Sequence, residues 1–289
     1  MSILNKFKSK AKGKIAIIGI GLGISQFHNN KVFNATIKFI AENPSKVYFY
    51  GIKDSIEQIR NTELYNEYES RISLIEKNEP EKEMVESLIN KEINVIIRGS
   101  LDSQQFLSTV KNNLNIREVN RLALLETSNG IQFFFGPVGI DECNTLEKKI
   151  SYIRKAINQF TNLKIEPKIS ILSGGRKNDY GRDESVDKTI DIANKVVKFI
   201  QEQYPYIKIT HDEILIENAI EKGSNLIIAP DGISGNLIYR TLVHLGGGNA
   251  YGAIYMGLDN TIIDTSRVGN ISEIQGALIL AVALSKKVC

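Results

Sequence analysis

Short apolar runs alternate with helix-patterned segments along almost the whole chain, and this alternation restricts the fold more than any other feature. KIAIIGI (14–20), VYFYG (47–51), NVIIRG (94–99), KISIL (168–172), NLIIAP (225–230) and AYGAIYM (250–256) read as strands. Helical patterns fill residues 29–43, 145–160, 185–203, 214–222, 234–245 and 271–285. LALLE and IQFFFG, around 122–136, read as a strand pair turning at Asn129-Gly130, because an Asn-Gly step supplies the positive φ that a tight hairpin needs. Strands joined by crossover helices give a parallel-rich sheet, so the class is α/β.

With 289 residues the chain builds two modest domains or one large one, and 42% apolar residues suffice for a core without covalent staples. Cys143 and Cys289 are too few for a disulfide framework, and His28, His211 and His244 stand singly, so no metal site is expected and a reducing, cytoplasmic setting is. The net charge of +3 is spread over interleaved acids and bases, which argues against nucleic-acid binding. Lys6, Lys8, Lys10, Lys12 and Lys14 ahead of the apolar run 15–20 imitate a secretory leader. Gly19, Gly21 and Gly23 break that run, and a strand-loop-helix continuation follows it. No stretch approaches the roughly 20 apolar residues of a membrane span. Neither a repeat nor a low-complexity linker marks a domain boundary.

Several loops after strands carry residues suited to an anion. GIGLG (19–23) invites a dinucleotide or S-adenosylmethionine reading, but it lacks the later glycine or alanine and the acid ending the next strand; the plainer reading is a flexible strand-to-helix loop. PDGISGN (230–236) opens a helix, where unpaired N–H groups and the helix dipole favour a phosphate. There Gly232 and Gly235 permit close approach, Asn236 donates, and Arg240 follows one turn on; alternatively Asp231 or Ser234 is simply an N-cap. SGGRKNDYGRD (173–183) gathers Arg176, Lys177 and Arg182 around Ser173, Gly174 and Gly175, suiting a phosphorylated or carboxylated ligand. The competing reading has Asp179 and Asp183 pair with the arginines of that loop. Ser266-Arg267 precedes the last helix, where an arginine neutralises developing charge. Glu273 reads either as a base or as the acid of a capping box with Asn270. His244 ahead of Gly246-Gly247-Gly248 looks like a helix C-terminus, and His211-Asp212-Glu213 like the lead-in to helix 214–222.

Residues 223–277, from GSNLIIAPDG to NISEIQGA, resemble the carboxyl-terminal signature of the phosphate acetyltransferase and phosphate butyryltransferase family; residues 133–160 and 165–175 are similar to its preceding segments. With SGGRKNDYGRD, the whole is most similar to the MtxX-type branch, a methanogenesis marker labelled as methyltransferase subunits. The resemblance implies a two-domain isocitrate/isopropylmalate dehydrogenase-like fold, usually a homodimer, with residues 1–127 plus 250–289 forming one discontinuous domain, 128–249 the other, and the active cleft between them. It also implies that Arg267 stabilises charge at a reacting carbonyl, and that Glu273, where the family has aspartate, accepts the thiol proton of coenzyme A. Ser173 stands in the family's serine-bearing loop, but Gly-Gly-Arg-Lys follows it where the family is hydroxyl-rich.

Three functions are therefore in play. The first is a transferase acting on a small phosphorylated or acyl-CoA-type anion, with coenzyme A or an acyl phosphate as substrate. The second is an accessory subunit partnered with methyltransferase subunits; no D-x-H-x-x-G corrinoid motif accompanies any histidine. The third, an NAD-dependent dehydrogenase of related fold, would want metal-binding aspartates on facing helices, and none is found.

Overall fold

The computed structural model describes residues 2–286. In chain order its elements are α1 (Ile3–Ala11), β1 (Ile17–Gly21), α2 (Gln26–Glu42), β2 (Lys46–Gly51), α3 (Lys53–Arg60), α4 (Glu63–Tyr68), β3 (Ile72–Glu76), α5 (Pro80–Ile89), β4 (Val95–Ile97) and α6 (Ser103–Asn113). There follow β5 (Arg121–Glu126), β6 (Gln132–Gly136), α7 (Leu146–Asn162), β7 (Lys168–Ile171), α8 (Glu184–Gln203), β8 (Lys208–His211), α9 (Ile216–Glu221), β9 (Leu226–Ile228) and α10 (Gly232–Arg240). The chain closes with β10 (Asn249–Tyr255), β11 (Thr261–Asp264) and α11 (Ile271–Leu284). Two compact units result: residues up to Val119 with those from Ala250 onward, and Asn120–Asn249.

In the first unit the strand order is β3-β2-β1-β4-β11-β10, parallel except for the antiparallel pair β10 and β11. Tyr50, Met84, Leu88, Ile96, Phe106 and Ile262 form the core beneath α5 and α6. The opposite face is closed by α11, whose ISEIQGALILAVAL sequence is apolar all round because it is covered on nearly every side. Gly276 makes that packing possible, since a Cβ there would overlap Tyr251 of β10. The Lys-rich start forms α1. Ile3, Leu4, Phe7 and Ala11 recur at helical spacing and are buried as α1 lies along α11. Lys14 then donates to the carbonyls of Ala283 and Ser285 at the end of α11 (3.0 and 3.2 Å).

In the second unit the order is β5-β6-β9-β7-β8, with β5 antiparallel to β6 and the others parallel. The hairpin turns at Asn129-Gly130, where Gly130 has φ +82°. Phe134 of β6 meets Phe160 of α7 edge to face at 5.1 Å, and the buried Tyr152 hydroxyl of α7 donates to Arg121 O (2.6 Å). The run 234–245, expected as one helix, is α-helical to Arg240 and closes in a π-helical turn over Thr241–Leu245. β3, β8 and β11 lie outside the strand expectations. β3 and β8 are edge strands with exposed or half-exposed positions, and β11 is four residues long, so none shows a sustained apolar run. No helix among the described residues is long and apolar enough to cross a membrane. Cys143 is buried at 3% exposure; Cys289 lies outside the described residues.

Candidate functional site

In the second unit the turn into α10 is dominated by its own cap. Asp231 Oδ1 accepts the N–H of Ser234 (2.8 Å), while Ser234 Oγ accepts the N–H of Asp231 (3.2 Å), a reciprocal capping box. Gly232 N donates to Glu142 O (3.1 Å) and Gly235 N to Asp231 O (3.0 Å), so Ile233 alone of the first four residues keeps a backbone N–H without an acceptor among the described residues. At Gly232 and Gly235 the close approach is made by the chain itself. A Cβ at Gly232 would overlap the Gly139 carbonyl, and one at Gly235 the Pro137 carbonyl, so these glycines admit the chain's own 137–142 segment. Asn236 Nδ2 donates to Val138 O (2.9 Å), tying the same two segments together. Arg240 is exposed one turn on.

The 173–183 loop follows β7. Here the pairing alternative holds for Arg182, whose guanidinium meets Asp179; Asp179 also accepts the Arg176 N–H (2.8 Å). Asp183 caps α8 instead, accepting from Ser185 and Val186. Arg176 and Lys177 are exposed. Gly174 N donates to Thr189 Oγ1 (2.7 Å), whereas the Gly175 N–H has no acceptor among the described residues.

Two groups missed in the sequence reading lie at this edge. Ser173 Oγ is 2.8 Å from His211 Nε2, and His211 Nδ1 is 2.9 Å from Asn194 Oδ1. Burial first, and then the charge of Lys177, hold the imidazole below its ordinary pKa. Lys149, 1% exposed, reaches from α7 to the carbonyls of Ala229 and Pro230, and burial pulls its pKa down to about 8. The Glu142 carboxylate, also buried, is held by Arg121 Nε (2.7 Å). The available signals were weak: His211 ends a short edge strand, and Lys149 is one lysine among several in an amphipathic helix.

In the first unit Ser266 and Arg267 follow β11. Glu273, 3% exposed, accepts the Ser266 N–H (2.7 Å), while the Asn270 side chain makes no cap bond. The glutamate thus reaches beyond its own helix start to clamp the loop. Arg267 keeps 45% of its side chain exposed and pairs with Asp102, the N-cap of α6. The Asp102 carboxyl lies below its usual range through the Gln105 N–H and the Arg267 guanidinium. Beneath, Arg98 is buried against Asp264 and the carbonyls of Leu101 and Thr265. The glycine loop after β1 is not flexible: Gly23 N donates to Ser100 Oγ (2.9 Å) and Gly23 O accepts from Asn29 and Ser55. A Cβ at Gly21 or Gly23 would overlap the 98–101 segment, so these glycines serve packing.

Residues 88–282 match the family described as Phosphate acetyl/butaryl transferase, well over half of the chain. The chain belongs to this family. The matched stretch of the phosphate acetyl/butyryl transferases takes in every candidate residue from Ser173 to Glu273 and leaves out GIGLG. Within the family the chain is of the MtxX type. It is 36% identical to "Putative methyltransferase mtx subunit X" of Methanosarcina mazei over 98% of this chain and 95% of the relative. It is 39% identical to the protein of that name from Methanosarcina barkeri, over 89% and 90%. A phosphotransacetylase from Streptococcus pyogenes superposes with a TM-score of 0.71 at 18% identity, covering 97% of both chains. Isocitrate dehydrogenase from Methylococcus capsulatus does so with 0.54 at 11%, covering 91% of this chain and 84% of the other. The fold is therefore that shared by phosphotransacylases and isocitrate dehydrogenase.

Proposed function

We propose that this chain is a phosphate acyltransferase-like transferase that binds a phosphorylated or acyl-CoA-type anion, with Arg267 as its charge-stabilising group. One observation carries the reading: within the family-matched stretch, Ser266-Arg267 sits on a loop clamped by a buried carboxylate, with the guanidinium still half exposed. A fixed cation that is not fully neutralised meets negative charge on a carbonyl or phosphoryl oxygen without reorganising at the moment of reaction. Asp102 supports the guanidinium from one side and is itself fixed by two backbone N–H groups of α6. Glu273 acts mainly as the clamp, since its carboxylate is enclosed and engaged by Ser266 N–H.

Acyl transfer between coenzyme A esters and inorganic phosphate, across acetyl to branched acyl groups, is the direct assay. Arg267→Ala is expected to lower kcat/KM about 100- to 1,000-fold, the usual loss when one charge-stabilising donor is removed. Glu273→Gln, which keeps an acceptor oxygen for Ser266 N–H, is expected to retain most activity; its complete loss would assign proton abstraction to Glu273. Absence of transfer with every acyl group overturns the reading. A second reading is an accessory subunit of a methyltransferase system, supported by the name its relatives carry. Stable co-purification with methyltransferase subunits, together with a silent acyl-transfer assay, supports that alternative.

A further inference from the structure

We propose that Ser173 is a covalent nucleophile for acyl groups, with His211 as its base and Asn194 orienting the imidazole. The three side chains come from separate elements of the second unit: the residue pair after β7, the last residue of β8, and the middle of α8. Register makes them meet, because Ile171 pairs with His211 and Ser173 follows two residues later. Ser173 N–H is itself fixed by Glu213 O (2.7 Å) just beyond β8. A hydroxyl within hydrogen-bond reach of an imidazole that is held from behind by a third group is the arrangement that activates a nucleophile.

Proton accounting supports the same assignment. Ser173 Oγ donates to Gly175 O (2.8 Å) and has His211 Nε2 as a second acceptor in reach, also at 2.8 Å, to which its one proton turns for attack. With the imidazole proton on Nδ1, facing the Asn194 oxygen, the Nε2 lone pair is left for the hydroxyl. The environment favours the neutral ring: burial, then Lys177 and more weakly Lys149, lower the imidazole pKa against the opposing charges of Glu213 and Asp212. The unbonded Gly175 N–H and the neighbouring Lys177 are suited to the oxygen of a tetrahedral intermediate. Ser173 is 1% exposed, so an acyl donor must reach Oγ past the residues that cover it.

In the step itself, Oγ bonds to the acyl carbon as its proton passes to Nε2. The bond from that carbon to the leaving oxygen or sulfur breaks, and Nε2–H returns the proton to the leaving group. An incoming thiol, phosphate or water reverses the sequence, with no change of oxidation state. This inference goes beyond the Arg267 reading and does not rest on it.

The probe is p-nitrophenyl acetate, which needs neither coenzyme A nor phosphate. A stoichiometric p-nitrophenolate burst is expected, with the acetyl group mapped to Ser173 by peptide mass spectrometry of the wild-type chain. His211→Gln should slow acylation about 100-fold or more. Asn194→Asp, at an exposed position, places a carboxylate behind the imidazole and should move the acid limb of the acylation pH profile to higher pH. An unlabelled wild-type chain, acetyl on Lys149 or Cys143 instead of Ser173, or an unmoved pH profile in Asn194→Asp overturns the proposal.

Discussion

At the residue scale, the glycines and buried charges around α10 behave as structural parts before they behave as ligand contacts. Gly235→Ala would drive a methyl group into the Pro137 carbonyl, and overpacking of this kind costs about 1–3 kcal/mol; a lowered urea midpoint with unchanged slope is the expected result. Lys149 gives a pH signature. Its folded pKa of about 8 lies below the ordinary 10.5, so the unfolded chain holds the proton more tightly. The burial penalty is therefore fully present below about pH 8 and fades as pH rises toward 10.5. Lys149→Met removes the titrating group, so the stability of the variant relative to wild type should fall between about pH 7 and about pH 9.5 in urea titrations. A constant difference would mean that Lys149 titrates normally.

At the element scale, α1 and α10 show how one pattern admits two uses. The lysines of α1 imitate a leader, while the residues that anchor the helix are Ile3, Leu4, Phe7 and Ala11 on its buried stripe. Phe7 is wholly enclosed, so Phe7→Ala is expected to cost about 3–5 kcal/mol, read as a lowered denaturation midpoint. The anion reading of α10 and its N-cap reading make opposite forecasts for Asp231→Ala. As a cap the aspartate contributes about 1 kcal/mol whether or not phosphate is present, measured by urea titration in both buffers. An element boundary such as this is legible from the PDGISGN turn, but what the turn's N–H groups face is not.

At the scale of the whole molecule, β4 pairs with β11 and α11 covers the same part of the first unit, so residues 1–119 lack their closing layer when expressed alone. Asn120–Asn249 is continuous and has its own buried β6, β7 and β9, so it should unfold cooperatively as an isolated fragment while 1–119 should not, as followed by circular dichroism in urea. A ligand screen by thermal shift on the full chain complements this, since a ligand at about 100 times its Kd adds about 2.7 kcal/mol. The α/β class, the hairpin at Asn129-Gly130, the α10 turn and the Ser266-Arg267 loop were legible from apolar period, turn chemistry and motif, all of them local properties of consecutive residues. His211 beside Ser173, Lys149 under the Ala229 carbonyl and Glu273 beneath Ser266 were not, because each contact joins elements whose neighbourhood is set by sheet order and register. Local sequence determines which segments become strands and helices; which polar groups then satisfy one another, and which remain for chemistry, is settled only when distant backbones are brought within hydrogen-bond distance.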